Sequence, residues 1–342
     1  MINQPLVTVL MPCYNASAFF VEAVDSIVNQ TYNNLEILLI DDGSSDNTKE
    51  LISKYAEKDS RIVPVFNEVN LGLIRTLNKG VALASGTFIA RMDSDDISDL
   101  RRIDEMVATF NSHPELDVIS AGYFSMAADG TKSVRVFPKA LDSKALLFVS
   151  FFCTPVNHPC MMAKSAVLKN NPFDERYIHS EDYEIFSRLL LSGSIFMNLE
   201  KPLYYLRRNP QSVSNRFERI QIANHTRISA RNIEQYFDKT YDYFIHKIMI
   251  NRISFNASPK LIRQALGNLS ELELEFEQRE NADQKVKKEI ANFLIEQRID
   301  IFLQSLKYAS WSNRAEITFL MLDYIKDFVS KRGVQYLKSK FR

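Results

Sequence analysis

The chain has 342 residues, 46% of them hydrophobic and 25% charged, and its 42 Lys and Arg balance 42 Asp and Glu. This is an ordinary globular composition with room for one large domain or two smaller ones. A net charge of zero weighs against a general nucleic-acid binder, which is usually basic.

Cys13, Cys153 and Cys160 are odd in number and widely spaced. That fits a reducing, cytoplasmic setting, with buried inert thiols rather than a disulfide framework or a zinc site. The N-terminus reaches an apolar run at Leu6 with no charged-then-apolar leader before it. No apolar run approaches the ~18 residues of a membrane span, and the richest, Ala145 to Cys153, is far shorter.

Taken in chain order, the first part alternates. Leu6–Met11, Leu35–Ile40, Arg61–Phe66 and Thr87–Met92 read as buried strands. Ala18–Asn29, Asp46–Glu57 and Leu71–Ala84 between them carry apolar residues at helical spacing. Alternating strands and helices predict βαβ units and a mostly parallel sheet with helices on both faces. Such sheets bind ligands at the carboxyl ends of their strands. Polar clusters fall at all four ends: Pro12-Cys13-Tyr14-Asn15, Asp41-Asp42-Gly43-Ser44, Asn67–Gly72, and Asp93-Ser94-Asp95-Asp96.

From Asp117 to Arg208 the pattern is mixed. Asp117–Ala121 reads as a strand and Tyr123–Phe137 as a hairpin around Asp129-Gly130. Cys160–Ala163, Ile195–Leu199 and Leu203–Leu206 look like strands, and Glu181–Leu191 like a helix. Beyond about Glu218 glycine nearly disappears and helical periodicity dominates, as in Leu261–Leu274, Val286–Leu306 and Ile317–Val329. The expected division is an α/β domain over 1–215 and an all-helical region over 216–342.

The acidic cluster after the fourth strand has two readings. Asp residues cap turns and helices, and Asp96 precedes a helical pattern. Clustered carboxylates also hold hard cations such as Mg²⁺ or Mn²⁺ that bridge to phosphates. No G-x-G-x-x-G follows the first strand and no P-loop exists. Without a glycine cradle, a bound diphosphate needs a metal.

Residues 6 to about 215 resemble the family 2 glycosyltransferases of GT-A fold. The matching segments are Val9–Asn15, Gln30-Thr31-Tyr32, Glu36–Asp46, Asn70-Leu71-Gly72 with Asn78 and Gly80, Ala84-Ser85-Gly86 and Ala90–Asp96, in the family's order. The resemblance implies a UDP-sugar donor and a Mn²⁺ or Mg²⁺ cofactor. It implies that Tyr14 stacks on the base, Asp42 accepts a hydrogen bond from it, and Pro12 and Asn15 shape that loop. In the Asp-x-Asp motif it sets Asp93 on the ribose, with Ser94 beside it, and Asp95 on the metal, leaving Asp96 to cap the next helix. Asp93 also stands near enough to share the metal. Asn70 and Gly72 belong to the third nucleotide-side loop, and Arg75 lies near its usual basic position. Arg91 either offsets phosphate charge or forms a structural ion pair.

His179–Leu189 resembles the family's Glu-Asp motif at a helix start. The match makes Asp182 the catalytic base, with Glu181 orienting the acceptor or the base, and implies inversion at the anomeric carbon. The plain alternative is that both acids complement the helix dipole. His158 is either an acceptor-pocket residue or a core histidine. The family often has Arg-x-His after the last strand; here Asn209 stands in the His position, which shifts diphosphate charge onto Arg207 or Arg208.

The implied acceptor is a glycan or lipid-linked glycan in surface-polysaccharide synthesis. Two rivals are transfer onto a polyprenyl phosphate and a catalytically dead nucleotide-binding scaffold. The basic stretch Lys326–Arg342, with Val329, Val334, Tyr336, Leu337 and Phe341 interleaved, reads as a solvated helix end or as a peripheral contact with the inner membrane face. The helical region could also form a homodimer.

Overall fold

The computed structural model describes residues 4–208 and 217–340, leaving aside the side chains of Lys132 and Ser133. Asn209, Phe341 and Arg342 therefore lie outside the described residues. The chain forms two compact units. One runs to Pro138 and resumes at Val156–Glu218; the other joins Lys139–Pro155 to the chain from Arg219 onward.

The first unit is built on a nine-stranded mixed sheet. It starts β1 (Val7–Cys13), α1 (Phe20–Val28), β2 (Leu35–Asp41), α2 (Thr48–Lys58), β3 (Ile62–Phe66), α3 (Leu73–Leu83) and β4 (Phe88–Arg91). β5 is Ile97–Ser98, followed by α4 (Arg102–Ser112), β6 (Val118–Met126) and β7 (Lys132–Val136). Strand order is β3-β2-β1-β4-β8-β6-β9-β5, with β7 on β6, where β8 is Met162–Lys164 and β9 is Phe196–Arg207. β1, β2, β3 and β4 are parallel to their neighbours in this set. β8 joins β4 to β6 in antiparallel pairing.

Both faces of the parallel strands are covered, which is why they read as unbroken apolar runs. Every residue of β1 is buried. Phe20, Ala23, Val24 and Ile27 of α1 pack on Val7, Val9 and Met11 in one core cluster. Register sets the strand ends level: Cys13 pairs with Asp41, Asp41 with Phe66, and Leu10 with Arg91. The four polar loops thus leave one edge of the sheet.

Three local expectations differ. Ile195–Leu199 and Leu203–Leu206 are one strand, β9. It passes through Pro202 because its register against β6 shifts near Gly122, absorbing the missing N–H in an irregularity. Asp96 is followed by β5, not by a helix; α4 starts only at Arg102, and Asp99 Oδ1 accepts from Arg101 N at 3.0 Å before it. Asp96 is therefore no helix cap. The expected strand at Cys160–Ala163 begins as a 3₁₀ turn, His158–Cys160, and pairs from Met162.

The second unit is helical. It comprises α5 (Ser143–Val149), then, after α6 (Ser165–Asn170) and α7 (Glu181–Leu191) of the first unit, α8 (Glu218–Phe237), α9 (Tyr243–Met249), α10 (Pro259–Arg279), α11 (Gln284–Tyr308), α12 (Trp311–Asp323), α13 (Ile325–Val329) and α14 (Lys331–Lys340). The division is interleaved rather than a single cut near residue 215. The reason is aromatic. Phe148 meets Phe276 at 5.2 Å, Phe151 meets Phe237 at 4.9 Å, and Phe152 meets Phe293 at 5.9 Å. The apolar run at Ala145–Cys153 is thus a core segment of the helical unit.

Candidate active site

The edge where β1, β2, β3 and β4 end carries the first group of residues. At the β1 end, Pro12 is buried and paired with Ile40, while Tyr14 is 54% exposed. Asn15 takes a left-handed φ of 48°. Its N–H donates to Ser44 Oγ (2.9 Å) and its Oδ1 accepts from Ser45 N (2.9 Å), tying the first loop to the second. This leaves the Tyr14 ring open as a stacking face.

Asp42 is buried and faces inward. Its Oδ1 accepts from Leu71 N (2.9 Å) and Asn67 Nδ2 (2.8 Å), and its Oδ2 from Gly72 N (3.0 Å). The carboxylate expected to read the base holds the third loop in place. Gly72 sits at φ 85° before α3, and Asn70 is exposed on the same loop. Gly43 has φ 71°, and a Cβ there would lie 2.6 Å from Asn70 N, so only glycine lets the second and third loops meet. Arg75 is exposed and paired with Glu175 at 2.8 Å.

The acidic cluster follows β4. One carboxylate oxygen each from Asp93, Asp95 and Asp96 lies within 4.8 Å of the others. Buried Arg91 grips Asp93 with both terminal nitrogens, each at 2.5 Å. Asp93 N donates to Tyr204 Oη (3.1 Å). Asp96 is buried and its Oδ1 accepts from Arg207 N (2.7 Å). Arg207 donates through Nε to the Asp95 carbonyl (2.8 Å). Burial, and then the Asp93 charge, raise the Asp95 carboxyl to about 6. Burial and the charges of Asp93 and Asp95 push Asp96 up as well. Three hard oxygen donors, crowded enough to hold protons, fit a divalent cation that would relieve their repulsion. Ser94 lies between them in sequence, and the buried Cys13 thiol near the cluster is pushed up by burial.

The second group stands on α7. Ser180 is fully buried at its N-cap position, and His179 before it has φ 65° and stacks on Phe217 at 4.1 Å. This left-handed turn delivers Glu181 and Asp182 into the first turn of the helix. Burial, and then the neighbouring Asp182 charge, raise Glu181 to about 7. Burial also raises Asp182, whose Oδ1 accepts from Tyr183 N (2.7 Å). Arg91 and Asp93 act electrostatically on both acids. The fold therefore brings the α7 start to the β4 end, joining residues far apart in sequence.

His158 is buried between Phe173 (5.4 Å) and Phe186 (5.6 Å). Burial and the Arg91 charge hold it neutral. Arg207 is also buried and committed: Nε to the Asp95 carbonyl, one terminal nitrogen to Ala128 O (2.9 Å), the other to Glu22 (2.6 Å), over the Phe19 ring. It braces the cluster from behind. Arg208 is the exposed cation of the pair, bonded through Nε to Ser125 Oγ (2.5 Å).

Tyr204 and Arg102 carried no sequence signal. Both are fully buried, and the Arg102 guanidinium lies over the Tyr204 ring (5.1 Å) and donates to the Arg91 carbonyl (2.5 Å). Tyr204 sits in the apolar run Leu203–Leu206, and Arg102 stands among Asp99, Arg101, Asp104 and Glu105, where a cation reads as an ordinary helix-surface charge.

A sheet half parallel and half mixed, with a carboxylate cluster at its strand ends and an acidic helix start opposite, is the architecture of the GT-A transferases. The family model described as Glycosyl transferase family 2 matches residues 8–170. An uncharacterised glycosyltransferase of Methanocaldococcus jannaschii is 30% identical over 201 residues, covering 58% of this chain and 69% of that protein. Among solved structures, Staphylococcus aureus TarS 1–349 in complex with UDP matches with a TM-score of 0.53 at 18% identity, over 97% of this chain and 91% of that one. A mannosyltransferase of Pyrobaculum calidifontis in complex with GDP-Man and Mn²⁺ matches with a TM-score of 0.53 at 15% identity, over 91% and 88%. The chain belongs to glycosyltransferase family 2 and has the GT-A fold.

Proposed function

We propose that this enzyme is an inverting glycosyltransferase that moves a sugar from a UDP-sugar to a hydroxyl of a glycan or lipid-linked glycan, with Asp182 as general base. One observation carries the reading: Arg91 and the Asp93 it grips both act electrostatically on Asp182. The acceptor hydroxyl gives its proton to the Asp182 carboxylate as its oxygen bonds to the anomeric carbon. The bond from that carbon to the diphosphate oxygen breaks, and its electron pair leaves with UDP. A single displacement turns an α-linked donor into a β product. Burial raises Asp182, making it the stronger base. Glu181, raised to about 7 beside it, orients the acceptor.

Tyr14 stacks on the base, and Asn15, Asp42 and Gly72 hold the loops that frame it. Asp93 takes the ribose, and Asp95, with Asp93, would hold Mn²⁺ or Mg²⁺. When bound, the cation offsets charge on the departing diphosphate. Arg208 is the cation free to face the diphosphate. The TarS complex supports a uridine donor, and the archaeal complex supports Mn²⁺. A lipid-linked acceptor sets the work at the inner membrane face.

The test is a panel of UDP- and GDP-sugars with Mn²⁺, scored for nucleoside diphosphate release with and without glycan acceptors. Release from a UDP-sugar that depends on Asp95 supports the reading. Binding of UDP with no transfer from any donor would favour a scaffold.

A further inference from the structure

Helix α12 is apolar on two opposite faces. Ile317 and Leu320 point inward and are buried. Trp311, Ala315, Thr318, Phe319 and Leu322 recur at i, i+4, i+7, i+8 and i+11, and all are exposed. Trp311 is 90% exposed, Phe319 73% and Leu322 57%. Ile325 and Val329 of α13 extend the surface at 48% and 67%. Single exposed apolar residues are common, but a continuous stripe led by Trp and Phe marks an interaction surface.

The charge around the stripe says what covers it. Residues 311–340 carry Arg314, Lys326, Lys331, Arg332, Lys338 and Lys340 against Glu316, Asp323 and Asp327. Arg332 is paired with Glu296 and Lys340 with Asp300; Asp323 is paired with Arg263 and Asp327 with Arg298. That leaves Arg314, Lys326, Lys331 and Lys338 without an ion pair among the described residues, against Glu316 alone. A second copy would bring the same positive surplus to a shared face. Anionic headgroups would neutralise it, while Trp and Phe settle at headgroup depth.

We propose that the α12–α13 face, with Trp311, Phe319 and Leu322 inserted and the unpaired Lys326 and Lys331 following in the chain, docks on an anionic bilayer surface. This deepens the membrane-face reading of the proposed function, and its test reads binding rather than turnover. It also moves the contact away from the end of the chain. Helix α14 is fastened to α11 through Arg332–Glu296 and Tyr336–Asp300 (2.5 Å), so its Tyr336 faces protein. No described helix is long and apolar enough to cross a membrane, so the contact lies on the surface.

Trp311 is the chain's one tryptophan, so its emission reports this face alone. The full chain is titrated with phosphatidylcholine vesicles with and without phosphatidylglycerol. The expected result is a blue shift and co-sedimentation with the phosphatidylglycerol vesicles, weakening as salt rises. Phe319→Ser with Leu322→Ser should weaken partitioning about tenfold while circular dichroism is unchanged. Unshifted Trp311 emission and no co-sedimentation in folded protein overturn the proposal. So does a doubling of mass in sedimentation that the double variant abolishes while vesicles go unbound; the occupant is then a second copy.

Discussion

Glu181 and Asp182 are adjacent in sequence, and their charges add in one buried site. Glu181 has an ordinary value of 4.5 and is raised to about 7 by burial first and by Asp182 second. A carboxyl raised on folding stabilises the native state below its unfolded value and loses that contribution as pH rises through the folded one. Between 4.5 and about 7 the folded protein therefore loses stability. Glu181→Gln should raise the unfolding free energy at pH 8 by roughly 1–3 kcal/mol, with the gain shrinking towards pH 5, as read by thermal melts at both. Asp182 must be ionised to act, so wild-type turnover should fall on the acid side at a pH above the usual carboxylate range of about 4. The acids of this site were legible because each stands in a recognisable motif. Of their controlling partners, Arg91 was legible as one side of a structural ion pair, and it pairs with Asp93 two residues on; Tyr204, which reaches Asp93 from a strand 111 residues on, was not. Asp42 was legible as a polar residue at a strand end, but its hold on the third loop was not, since its three partners are backbone and amide N–H groups, two of them carrying no side-chain signature.

The four parallel strands were legible in sequence because they are buried on both faces and separated by amphipathic helices. The sheet's other half was less so. β9 is continuous only because β6 accommodates Pro202 with a register shift, a property of the pair rather than of either segment. The predicted helix Ile317–Val329 is two, α12 and α13, meeting at Tyr324 (φ −110°, ψ 15°), with neither Gly nor Pro to announce the break. At the loop scale Gly43 is the sharpest constraint. Its left-handed backbone and its 2.6 Å approach to Asn70 N leave no room for a methyl group. Gly43→Ala should lower stability by roughly 2 kcal/mol and weaken nucleotide binding, because the third loop must retreat. Paired melts and UDP titrations check this; a variant with wild-type binding would show that the loop contact does not frame the donor site.

At the scale of the whole molecule, the interleaving of two compact units is the feature least visible in sequence. Lys139–Pro155 is captured by aromatic contacts with α8, α10 and α11, and local periodicity cannot show which core a Phe-rich segment will join. Phe276→Ala removes the ring that touches Phe148 and Phe151, and should cost about 3–5 kcal/mol in denaturant unfolding. Within the first unit the fold brings Asp182 of α7 under the charges of Arg91 and Asp93 at the β4 end, and the account rests on that meeting. Donor binding and turnover measured side by side in Asp182→Asn test it most directly. The expected result is wild-type affinity for the UDP-sugar with Mn²⁺ and transfer slowed by roughly 10³-fold. Transfer at the wild-type rate in that variant would contradict the account.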